Sequence, residues 1–204
     1  MRITNLCPGG YAANCYLVTE GDAALLIDCT ATAEAVTRAL QQAGTRLRAI
    51  LLTHGHFDHI LTLEAVKDAT GAPVYLMAGD KDLPGDGRKN AYAIFFGTDR
   101  AYPAPDHLLK DGEVLDLGGL TVKALNTPGH TRGSAVYLVG EVAFTGDTLF
   151  AEGFGRFDLY GGDATALTQS LSDLAALTRD TVIYPGHGGN ATLGAALDAI
   201  QGFI

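Results

Sequence analysis

Leu51 to Ile60 read LLTHGHFDHI, with three histidines and an aspartate in the six positions from His54 to His59, directly after an apolar run. The run, LRAILLT from Leu47 to Thr53, is short, β-branched and leucine-rich, which suits a buried strand. The polar cluster therefore sits at the C-terminal edge of that strand. DHILTLEAVKDATG, from Asp58 to Gly71, then places Ile60, Leu61 and Val66 at helical spacing and is stopped by Gly71 and Pro73. A helix is predicted there with Asp58 near its N-terminus, where exposed amides and the helix dipole favour a carboxylate.

Upstream, NCYLVTEGDAALLIDC gives two apolar runs around a Glu20-Gly21-Asp22 turn, a hairpin signal, and ATAEAVTRALQQAG follows as a helix ending at Gly44. Downstream, the stretch from Asp80 to His107 mixes Gly, Pro, Asp and aromatics without a clean period; it reads as helical pieces and loops, a candidate roof for the cluster. Strand character resumes in EVLDLGGLTVKALNTPGH and in SAVYLVGEVAFTGDTLF, where Gly140 and Glu141 divide two strands. DATALTQSLSDLAALTRD is a second amphipathic helix with Asp163 as its cap, TVIYPGHGG is another strand ending in a histidine, and NATLGAALDAI is a closing helix capped by Asn190. Strands and helices thus come in two comparable sets without a linker between them. The expectation is one domain, residues 1–204, in which two sheets face each other and helices cover the outsides.

Composition sets the class. With 47% hydrophobic and 18% charged residues, the chain is neither disordered nor fibrous. Fourteen basic against 23 acidic residues give a net charge of −9, which lacks the broad cationic surface that a phosphate backbone demands, so no nucleic-acid partner is expected. Pro8, Gly9 and Gly10 break the N-terminal apolar run before a signal-peptide core forms, and no run approaches the ~20 apolar residues of a membrane span. The expectation is a cytoplasmic enzyme with no membrane partner. Cys7, Cys15 and Cys29 show no C-x-x-C spacing and read as reduced thiols in packed positions.

The chemistry lies in the polar residues at strand ends. His54, His56, Asp58 and His59 form H-x-H-x-D-H, and further candidates are His130 in NTPGHTRGS, Asp147 in FTGDTLF and His187 in YPGHGG, each preceded by a glycine that lets backbone approach closely. An isolated H-x-H would be read as satisfied core or surface histidines. Five histidines and two aspartates in recurrent strand-end contexts exceed the roughly four ligands of one zinc ion. His107, in PAPDHLLKDG, belongs to none of these segments and reads as an ordinary loop histidine.

THGHFDH, PGHTRGS, FTGDTLF and YPGHG occur in the order typical of the metallo-β-lactamase superfamily, and the chain resembles its small glyoxalase II-like (hydroxyacylglutathione hydrolase-like) hydrolases over nearly its whole length. That resemblance implies a four-layer αββα sandwich of two facing mixed β-sheets covered by helices. It implies two divalent metal ions, zinc first with iron or manganese as alternatives: His54, His56 and His130 on one, Asp58, His59 and His187 on the other, Asp147 bridging. Asp28, ending AALLID, resembles the family's aspartate behind a ligand histidine, where it would fix the tautomer. Cys29-Thr30 departs from the family's usual small or glycine-rich continuation. Arg156, in EGFGRFDLYGGD, falls where glyoxalase II has a basic residue for a substrate carboxylate.

The reaction implied is hydrolysis of an acyl-thioester such as S-lactoylglutathione by a metal-bridging hydroxide, with Asp58 as the catalytic residue that accepts a proton or orients the water. A carboxylate at Asp147 resembles thioester hydrolases more than antibiotic hydrolases. The chain ends at Ile204, so the helical domain that supplies much of glyoxalase II's glutathione binding is expected to be missing. A mononuclear iron persulfide dioxygenase, holding iron on His54, His130 and Asp147, shares the same positions, and its G-R-x-D resembles GRFD equally. A metal-binding sensor without turnover is the third reading.

Overall fold

The computed structural model describes residues 1–7 and 9–203, so the break at Pro8 and the chain end at Ile204 lie outside the described residues. Six strands, β1 (Arg2–Asn5), β2 (Tyr16–Glu20), β3 (Ala23–Ile27), β4 (Arg46–Leu51), β5 (Val74–Met77) and β6 (His107–Leu109), form one sheet in chain order. β1 to β3 pair antiparallel and β3 to β6 parallel. The parallel steps need crossovers, supplied by α1 (Ala33–Ala43) and α2 (Leu63–Thr70). The single-turn α3 (Tyr92–Phe96) packs against the same outer cluster.

The second sheet joins β7 (Val114–Asp116), β8 (Thr121–Asn126), β9 (Ala135–Val139), β10 (Val142–Gly146), β11 (Val182–Pro185) and β12 (Ala191–Thr192), antiparallel except for β10 with β11. Both sheets are mixed, as expected. Alternation along the strands builds the layers. Leu25, Ile27 and Leu51 of the first sheet meet Val122, Tyr137 and Phe144 of the second, while Leu26 and Ile50 face outward onto Val36, Leu40 and Val66 of the helices. On the far side, Val136, Ala143 and Ile183 pack on Leu167 and Leu171 of α4 (Ala164–Leu174) and Leu197 of α5 (Leu193–Ala199). The result is the four-layer αββα sandwich.

Local signals hold at most element ends. Thr32 Oγ1 accepts from the Ala35 amide at the start of α1, and Gly44 closes that helix at φ 67°. Asp163 caps α4 through Ala166 N. Three expectations need correction. The helix predicted from Asp58 begins at Leu63; Asp58 lies in a separate 3-10 turn, Phe57–His59, because Phe57 and Ile60 must both enter the core and the chain turns twice to bury them. α5 is capped by Thr192, whose hydroxyl accepts from Ala195 N, because Ala191 and Thr192 first pair with β11 and postpone the helix past Asn190. His107 is no loop residue: it begins β6, with its ring stacked 4.5 Å from Tyr75. The three cysteines are free and buried.

Several hydrogen bonds tie the two sheets where the site begins, among them those of Ala135 N to the Thr53 carbonyl and of the Tyr16 hydroxyl to the Pro185 carbonyl. The fully buried Tyr137 hydroxyl, on β9, donates to the Leu52 carbonyl beyond β4 at 2.7 Å. Tyr137→Phe strands that carbonyl and should lower unfolding stability by ~1–3 kcal/mol. Urea denaturation should show a lower midpoint at unchanged slope; an unchanged midpoint would remove this contact from the account.

Candidate metal centre

All seven predicted ligands meet at one edge of the sandwich. His54 follows β4 by three residues, Asp58 and His59 occupy the 3-10 turn, His130 lies beyond the end of β8, and Asp147 and His187 follow β10 and β11. β10 and β11 run parallel, so their C-terminal ends deliver Asp147 and His187 side by side. Space explains the preceding glycines. Gly146 sits at φ 50° with any added Cβ 2.6 Å from Thr53 Cβ, and a Cβ at Gly186 would overlap Asp147 Oδ1 and come within 2.6 Å of His59 Cε1.

Three ring nitrogens form a tight triangle: His54 Nε2 to His56 Nδ1 is 3.1 Å, His56 Nδ1 to His130 Nε2 is 2.9 Å, and His130 Nε2 to His54 Nε2 is 3.1 Å. The corners of such a triangle all lie ~2.0–2.1 Å from a point just off its plane, which is the bond length from imidazole to zinc. A second group, Asp58, His59 and His187, offers ligand atoms within 4.8 Å of one another. Asp147 lies between the groups, with Oδ1 3.2 Å from His59 Nε2 and Oδ2 3.7 Å from both His130 Nε2 and His187 Nε2.

The far side of several rings is held by an acceptor that decides which nitrogen keeps its lone pair. His59 Nδ1–H donates to Asp28 Oδ2 at 2.7 Å, His130 Nδ1–H donates to the Arg156 carbonyl at 2.6 Å, and His54 Nδ1 lies 3.2 Å from the Thr53 hydroxyl. Thr53 is itself anchored on Asp28, whose Oδ1 accepts from Thr53 N at 2.8 Å. Asp28 reaches these partners from left-handed backbone, φ 57°, a conformation that aspartate tolerates better than most residues. Asp28 thus stands behind His59, one of the predicted ligands.

The electrostatics suit a cation. Burial, then the neighbouring imidazoles, pushes His54 well below the usual histidine range, and burial followed by His130 pushes His56 down to about 3. Both rings are therefore neutral donors of a lone pair. Burial alone would favour neutral Asp147, but His59 and then His130 outweigh it and hold the carboxyl far below the ordinary range; Asp58 is likewise lowered, with His187 countering its burial. Burial disfavours charge on His59 too, yet Asp147 and Asp28 raise its pKa well above the usual value. His59 Nε2 and Asp147 Oδ1 face each other, buried and without a hydrogen-bond partner among the described residues. Lone pairs converging beside two ionised carboxylates fit divalent ions.

Asp80 escaped the sequence reading. Fully buried at the end of the 3-10 turn Ala78–Asp80, it accepts from Gly55 N at 3.0 Å, Thr131 Oγ1 at 2.7 Å and Gly133 N at 2.7 Å. It thereby clasps the loop of His54 and His56 to the loop of His130. Burial raises its carboxyl pKa although the Thr131 and Gly133 hydrogen bonds pull the other way. The available signal was its place shortly after the apolar strand VYLM, much as Asp28 follows AALLI, though Ala78 and Gly79 intervene. Arg156 lines the cavity, but its guanidinium is exposed and pairs twofold with Asp158 at 2.6 and 2.8 Å. His107 lies outside the cluster.

Comparison with known proteins agrees with this geometry. The family model described as the Metallo-beta-lactamase superfamily matches residues 8–187. The chain is 32% identical to the hydroxyacylglutathione hydrolase GloC of Haemophilus influenzae, over 95% of this chain and 94% of that protein. Among solved structures, the B3 metallo-β-lactamase BLEG-1 aligns with a TM-score of 0.89 at 34% identity, covering 97% of both chains. TTHA1623 in a di-iron-bound form aligns at 0.82 with 35% identity, covering 96% of both.

Asp80→Ala should separate the two ligand loops and weaken metal retention by roughly 10–100-fold, the usual effect of losing a group that orients ligands. Competition against a chelator measures this; a folded variant with wild-type affinity would show that the clasp is dispensable.

Proposed function

The chain belongs to the metallo-β-lactamase superfamily, and from that premise we propose that it is a hydrolase of acyl-thioesters, S-lactoylglutathione among them, working with two divalent ions. The observation that carries the reading is Asp147, one carboxylate whose two oxygens approach histidines of both ligand groups. The likeness to GloC supports the thioester, and a carboxylate in this bridging position supports it over a β-lactam.

His56, Asp58, His130, Asp147 and His187 line a cavity of about 440 Å³. None of the described residues lining it is a serine, cysteine or lysine, and in this reading the attacking group is water. Divalent ions held by these side chains would lower the pKa of a bound water and polarise the scissile carbonyl. Asp58 Oδ2, 3.4 Å from His187 Nε2 and held ionised, is placed to take the water's proton. Asp28, Thr53 and the Arg156 carbonyl keep three imidazoles in register during that step. The Arg156 side chain docks a substrate carboxylate by exchanging its exposed pair with Asp158, a pair worth little in water.

Metal-loaded protein should hydrolyse S-lactoylglutathione, leave a chromogenic β-lactam largely intact and consume no oxygen with glutathione persulfide. Oxygen uptake or β-lactam cleavage without thioester turnover would overturn the reading. Asp147→Ala should also lose more metal than His187→Ala in elemental analysis, because a bridging group serves both ions; equal losses would contradict the bridge.

A further inference from the structure

The wall above the ligands is aromatic. Phe57, between His56 and Asp58, lies with its ring 5.4 Å from those of Phe95 and Phe96, and Phe96 lies 6.3 Å from Tyr11. All four rings line the same cavity as the metal-binding groups. Phe57 is buried, but Tyr11, Phe95 and Phe96 are 67%, 54% and 48% exposed. Contiguous apolar surface of this kind marks a contact site, whereas scattered exposed residues would not.

The wall is held in place by buried polar contacts. Asn90, fully buried, uses its amide to hold the Pro84 and Arg100 carbonyls at 3.2 and 2.9 Å, accepts from Tyr92 N at 2.9 Å through its side chain, and accepts from Phe57 N at 2.9 Å through its carbonyl. Ala91, next in sequence, takes φ 68°, where a non-glycine residue is strained. Strain of this sort persists only when its surroundings enforce it, and here it launches α3 so that Phe95 and Phe96 face the cavity.

Glutathione carries two carboxylates and an ammonium, and none of the four rings offers them an ion partner. Arg156, the charged cavity-lining side chain outside the ligand set, lies on the segment after β10, whereas the wall is built from the chain before β6. A substrate bound with its thiol half on Arg156 would leave its acyl half to the rings. We propose that Tyr11, Phe57, Phe95 and Phe96 seat the acyl group, and that the enzyme prefers thioesters of extended apolar acids to those of short hydroxylated ones such as lactate. This rests on the thioester reading above. The reaction is unchanged: one water adds to the acyl carbon, the C–S bond breaks, and a carboxylate and a thiol leave.

Each methylene moved from water onto apolar surface contributes roughly fourfold in affinity, so partial burial of an eight-carbon chain gives about tenfold or more. The experiment compares kcat/KM for S-octanoylglutathione and S-lactoylglutathione, and inhibition by the uncleavable thioethers S-octylglutathione and S-methylglutathione. Wild type should favour the octyl member of each pair by about tenfold or more, and Phe95→Ala and Phe96→Ala, both at exposed positions, should shrink both ratios several-fold. Equal use and equal binding of long and short groups would overturn the acyl site while leaving the thioester reading intact. Ratios that the two variants do not change would overturn the assignment to this wall. If the octyl thioether binds preferentially in a wall-dependent way and no thioester is cleaved, the apolar site stands and the thioester reading falls.

Discussion

Three imidazole nitrogens held 2.9 to 3.1 Å apart, with their lone pairs turned inward, repel one another, and much of the structure near the site serves to keep them there. Asp28 holds His59 and Thr53, Asp80 holds both loops, and the Arg156 carbonyl fixes His130. The folding free energy of the sandwich maintains the convergence, and a bound cation would offset the repulsion that remains. The two sheets matter chiefly because they set strand ends from both halves of the chain against one another.

Those strand ends were readable in advance because the candidate ligands cluster in sequence as well as in space. His54 to His59 announce themselves locally, and the glycines before His130, Asp147 and His187 are visible as single letters whose purpose is a close approach, as the overlap at Gly186 shows. The amphipathic helices, the stop at Gly44 and the cap at Asp163 were equally legible, since cap and helix are neighbours. The residues that hold the ligands were harder to see. Asp80 meets Thr131 and Gly133 across more than 50 positions, and Asn90 looks like any loop asparagine until its partners are in place. The start of α5 was misplaced for a related reason: a two-residue strand pairing with β11 outranks a good local cap.

Position, charge and apolar surface divide the tasks within one cavity. The floor is polar and arranged so that the His54 and His56 imidazoles are neutral while Asp58 and Asp147 stay ionised. The wall is aromatic and partly exposed, with no charge of its own. A substrate with a polar reacting centre and an apolar flank matches both, and the pairing of Arg156 with Asp158 keeps the remaining charge exchangeable at the mouth.

The claim on which everything else stands is that seven side chains hold two ions in each chain. Elemental analysis of protein saturated with zinc, iron or manganese and freed of excess metal tests it most directly. Two ions per chain are expected, and at most one ion per chain with every metal tried would contradict a binuclear site.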